Sequence, residues 1–169
     1  MKKNRQPEVW LRGPVPDIPQ LLQPAAHALL QTGEELPVWL EDFDEQHLWS
    51  KPAGRASVGF HLQHLTGVLD RMMTYAKGES LTEAQFEYLR NEGTEQENSS
   101  VDILIAAFEH KVTEALAYFK TLNTAILLEE RKVGRKALPS TTLGLLFHAA
   151  EHSQRHLGQV LVTASLFKK

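Results

Sequence analysis

Three histidines near the C-terminal end of the chain, His148, His152 and His156, recur at i, i+4 and i+8 within LGLLFHAAEHSQRHLGQVLV, residues 143–162. On an α-helix this spacing makes one ascending row. Around that helix the row shares a sector with Leu145, Ala149, Gln159, Val160 and Thr163, whereas Glu151, Gln154, Arg155 and Gly158 fall opposite. The row is therefore expected on the face that the helix buries. Imidazoles facing a core are costly unless their ring nitrogens find partners. Hydrogen bonds to core groups could satisfy single rings. A divalent ion could satisfy several at once, and a pair at i, i+4 is a spacing that lets one helix give two ligands to one ion.

The remaining ligands must come from another helix. His61 and His64 lie at i, i+3 in an earlier helical stretch. His61 falls nearer the centre of its apolar stripe and His64 toward the flank, where a bundle helix still faces a second neighbour. Periodicity leaves both open. Three neutral imidazoles on a divalent ion would leave at least one coordination position free, as catalytic sites do. Zinc suits an all-nitrogen donor set, and nickel also fits. Such an ion could activate water for hydrolysis or hold a thiol as thiolate for transfer. Asp70 and Glu151 are the acidic residues nearest the histidines in sequence, but both lie off the ligand faces, so no catalytic base is assigned.

The elements that must position these side chains are helices. Residues 1–16 carry Pro7, Gly13, Pro14 and Pro16 and read as an irregular arm, with Trp10 and Leu11 packing onto a single domain of residues 17–169. Asp17 reads as the cap of a first helix extending to about Phe43 and kinked at Pro37. A connection containing Pro52 and Gly54 follows, anchored by Leu48 and Trp49. Ser57 then caps a second helix reaching about Lys77, before Gly78. Its stripe is Val58, Leu62, Leu65, Leu69, Met72, Met73 and Ala76. A short helical piece from Thr82 to about Asn91 leads into GTEQENSS, an acidic stretch expected to be mobile. A third long helix runs from about Val101 to Thr121, with His110 off its apolar stripe. Residues 122–139 form a connection bearing Arg131, Lys132, Arg135 and Lys136. It reads as a solvated loop or as a rim attracting an anionic substrate. Ser140 or Thr141 caps the last helix. No strand pattern stands out. Four long amphipathic helices imply an all-α four-helix bundle.

Composition narrows the function classes. The 169 residues suffice for a substantial core, and the net charge of −3, without a basic aromatic stripe, argues against nucleic acid. The absence of cysteine excludes disulfides, zinc–thiolate sites and a cysteine nucleophile. No apolar run is long enough for a bilayer, and MKKNRQPEVW has no signal-peptide core. A cytoplasmic protein without a membrane partner is the expectation.

Two segments resemble the DinB family. Ser57-Val58-Gly59-Phe60-His61-Leu62-Gln63-His64-Leu65 is similar to the start of a family helix in which a histidine follows a serine by seven residues. His148-Ala-Ala-Glu-His152-Ser-Gln-Arg-His156-Leu-Gly-Gln159 is similar to the terminal HxxxHxxxHRGQ pattern. The resemblance implies an up-down-down-up bundle, often a homodimer, with a three-histidine divalent metal site. By motif position the ligands would be His64, His152 and His156. His148 matches a frequent histidine that is usually not a ligand. Leu157 stands where the family usually has arginine, so an anion contact there is in doubt. Family members with known activity are often transferases or isomerases using low-molecular-weight thiols, which implies a small-molecule substrate. A metal-dependent transferase or hydrolase is the leading expectation. A non-catalytic metal-stabilised interaction module is the alternative.

Overall fold

The computed structural model describes residues 6–167. Residues 1–5 of the expected arm lie outside them. The helices are α1 (Gln23–Trp39), α2 (Val58–Ala76), α3 (Glu83–Asn91), α4 (Val101–Lys120), α5 (Thr124–Leu127) and α6 (Thr142–Ser165). Between α5 and α6 lies a hairpin of β1 (Glu130–Val133) and β2 (Leu138–Thr141).

The four long helices form the bundle, with α4 and α6 each packing against both α1 and α2. Their directions follow from the contacts. Glu45 accepts from the amide of Val101 at the start of α4, and Leu48, three residues on, accepts from the amide of Gly59 near the start of α2. Lys111 then pairs with Asp70, and Lys77 lies over Tyr118. Thus α2 and α4 run parallel. Gln154 bonds Ala28 and Thr32, while Phe167 packs on Phe43, so α1 and α6 run parallel too. His61 meets His156 and His64 meets His152, which makes α2 and α6 antiparallel. The order is up-down-down-up, and the fold is all-α with one small hairpin. Leu22, Leu29, Leu36, Leu62, Leu65, Leu69, Phe108, Phe119 and Leu146 fill its centre.

Local chemistry sets the ends. Ser57 Oγ accepts from the Phe60 amide, Ser100 caps α4, and Thr141 caps α6. Thr82 and Gln85 cap each other at α3. Gly78, at φ 79°, turns the chain after α2.

Four sequence expectations need correction. Asp17 does not cap α1: it sits in a turn at φ 65°, and the helix begins only at Gln23, where Pro24 needs no amide partner. Nor does the helix reach Phe43. It ends at Trp39, two residues past Pro37, which removes one i→i−4 bond and stops the helix from running on. Trp10 and Leu11 are exposed, and Val9 is the residue of that segment that packs inward. The basic connection contains the unexpected hairpin. Four-residue strands reading ERKV and LPST carry too few apolar residues to show a period.

The loop after α1 is locked to α2 by one close approach. Leu48 is buried, and the Trp49 ring lies over Gly59, where an added Cβ would come within 2.6 Å of it. Gly59→Ala is therefore expected to cost ~1–3 kcal/mol through overpacking. Urea denaturation of the variant measures this directly.

Candidate metal centre

Histidines from α2 and α6 converge at one level of the bundle. His64, His152 and His156 each offer a ring nitrogen, and these atoms lie within 4.8 Å of one another. His64 Nε2 is 3.0 Å from His152 Nε2. The ring centroids are 4.6 Å apart for His64–His156 and 4.5 Å for His152–His156. The antiparallel packing of α2 on α6 produces this meeting. His152 and His156, one turn apart on α6, face His64 on α2.

His61 takes a different place. Its Nδ1 is 2.9 Å from His156 Nδ1. His61 therefore contacts the His156 ring from behind, and of the two histidines that periodicity left open it is His64 that joins the cluster. His148 stays at the outer edge, its side chain 48% exposed and paired with Glu151 at 2.8 Å. The histidine row is thus not uniformly buried as expected. His156 is buried, His152 is half-buried and His148 is exposed. The buried centre of α6 runs instead through Leu146, Ala149, Ala150, Ser153, Leu157, Val160 and Ala164, and the row lies along its flank. Leu157, in the position the motif usually gives to arginine, is part of the core.

The acidic partner of the site was not found in the sequence. Glu92, just after α3, accepts from His64 Nδ1 at 2.5 Å, and its side chain is only 4% exposed. Its other oxygen meets the buried Arg71 at 2.7 Å, so the guanidinium balances the carboxylate charge. The Glu92 contact occupies His64 Nδ1 and leaves Nε2 facing the cluster. Phe60 stacks on the same ring at 5.1 Å with planes 15° apart. Nothing periodic marks Glu92. Arg71 lies opposite the apolar stripe of α2, so it gave no signal either.

Burial disfavours charge on three of these rings, His61, His152 and His156. Burial, with His64 nearby, pushes the His61 pKa down to about 4. Burial and the neighbouring histidines push His152 to about 4 and His156 to about 3. Neutral imidazoles are the form that binds a metal. His152 Nδ1 is a buried atom with no hydrogen-bond partner among the described residues. A ring turned so that Nε2 points at the cluster leaves that atom behind. The donor set, with charge on His152 and His156 disfavoured, fits a divalent ion.

The sequence profile of the DinB superfamily matches residues 28–160, a span that includes His61, His64, His148, His152 and His156. The chain belongs to the DinB superfamily. No curated protein matches it significantly. The basic connection does not reach this DinB site. Arg131 bonds the carbonyl of Ala76 at the far end of α2, twelve residues or ~18 Å along the helix from His64. Arg131 also pairs with Glu129, and Lys132 with Glu130. No described helix is long and apolar enough to cross a membrane.

Proposed function

We propose that this DinB-superfamily protein binds one divalent ion through His64, His152 and His156 and acts as a metal-dependent enzyme on a small molecule. The observation that carries this reading is the convergence of three imidazoles from two helices, one of them backed by a buried carboxylate. Zinc or nickel suits the donors. Three protein ligands leave room for an exogenous one. Bound there, the ion would supply Lewis acidity, lowering the pKa of a coordinated water or of a low-molecular-weight thiol. The protein's own part is to fix the ligands. Glu92 and Arg71 set the His64 ring orientation, His61 contacts the His156 ring, and Phe60 shields one face of His64. A thiol-dependent transferase and a hydrolase both follow from such a site.

The test begins with stoichiometry. Protein dialysed against zinc or nickel and then freed of excess is expected to retain about one ion per chain by elemental analysis. The loaded protein is then screened with low-molecular-weight thiols and electrophilic substrates, with ester and amide hydrolysis run in parallel. Retention of no ion would remove the basis of the reading. An ion bound without turnover across the screen would favour the non-catalytic module.

A further inference from the structure

The segment that delivers Glu92 is expected from its composition to be loose, yet its first residues are fastened to α2. Gln63 is 4% exposed and uses both ends of its amide on this segment's backbone. Its Oε1 accepts from the Gly93 amide at 2.7 Å, and its Nε2 donates to the Thr94 carbonyl at 3.2 Å. Tyr88, in α3, donates to the Gln63 carbonyl at 3.0 Å. Gly93, at φ 85°, lies against Phe60, the ring stacked on His64. Gly67, one turn beyond, provides the space. A Cβ there would sit 2.3 Å from Glu92 Oε1 and 2.7 Å from Arg71 Nη1. Four neighbouring positions of α2 thus serve one segment: Phe60 below it, Gln63 clamping it, Gly67 making way for its carboxylate, and Arg71 charging the far side.

We infer that Gln63 and Gly67 are positioning residues for the metal site, docking Glu92–Thr94 onto α2 so that a bound ion and this docked segment stabilise each other. The inference rests on the proposed metal reading. An ion on His64 favours the ring orientation that Glu92 holds. The docked segment in turn favours the ring orientation that the ion needs. Coupling of this kind is reciprocal, so each must strengthen the other by the same factor. Clamp and ligand alternate along one helix, with His64 directly after Gln63, so a shift of the segment is felt at the ligand.

Full-length protein and zinc chloride test this. Hydrogen exchange at the Gly93 amide, whose acceptor is Gln63, is expected to slow at least fivefold more on zinc addition than exchange at the Ala137 amide, which bonds Gly134 in the hairpin turn and opens locally without releasing the ion. Gln63→Met keeps the side-chain volume and removes both amide bonds. Gly67→Ala pushes against Glu92. Each is expected to weaken zinc binding ~10–100-fold, the range for losing a group that orients a metal ligand, and to abolish the extra slowing at Gly93. Wild-type protein that takes up zinc with no extra slowing at Gly93 overturns the inference, as do variants with wild-type zinc affinity. The first of these readouts needs no variant to fold. Wild-type protein that takes up no zinc instead defeats the metal reading beneath it.

Discussion

Alanine in place of His64, His152 or His156 is expected to weaken zinc binding on the order of a hundredfold to a thousandfold, because a tight zinc site of ~10–16 kcal/mol shared among four ligands makes each worth ~2.5–4 kcal/mol. The loss should be similar at all three positions, since each offers a nitrogen to the same point. His61→Ala separates a ligand from its support. His61 touches His156 rather than the common point, so its removal is expected to cost only ~10–100-fold. His148→Ala should cost least, because that side chain is exposed and engaged with Glu151. Competition titration against a chromophoric chelator ranks the five variants on one scale. Loss of the ion in His61→Ala, with retention in His64→Ala, would reverse the assignment of the α2 ligand.

What could be read from the sequence, and what could not, divides along the range of the interaction. The start of α2 was legible because Ser57 acts on an amide three residues away, and the start of α6 was narrowed to Ser140 or Thr141 on the same ground, Thr141 being the cap. The i, i+4 pair on α6 was legible because helical periodicity is local. Its partner was not settled by periodicity. In a bundle α2 faces both α4 and α6, so two histidines at i, i+3 can both be buried while only one meets the ligand pair. The resemblance favoured His64, and the geometry places that residue in the cluster. Glu92 was out of reach for the same reason. It acts on residues 28 and 21 positions earlier, from a stretch whose composition suggests solvent. Arg71, Gln63 and Gly67 have their reasons only in that remote contact. Pro37 marked a disruption, but not its outcome: the helix ends two residues beyond it instead of continuing through a kink to Phe43.

Stability and metal occupancy should both depend on pH, with a sign fixed by the depressed histidines. In the unfolded chain these rings take up protons near ~6.5. In the folded, metal-free protein His61 and His152 resist protonation to about 4 and His156 to about 3. Between those limits the unfolded state binds more protons. The stability that neutral rings allow is therefore complete above ~6.5 and is lost as pH falls toward the folded values. Metal adds to the slope. The ion binds the gathered ligands of the folded state and not the unfolded chain, so free zinc at a thousand times Kd stabilises by about 4 kcal/mol, on the order of 10 °C in Tm for a chain of this size. That increment should shrink as protons compete for the same nitrogens. The competition is delayed, because rings that charge only near pH 4 leave their nitrogens open to the ion through the mildly acidic range. Zinc should thus remain bound at pH values where an exposed histidine cluster would already have released it. Thermal melts across pH 4 to 8, with and without zinc, trace both effects. A Tm that zinc leaves unmoved at neutral pH would show that the histidines are held by one another and not by an ion.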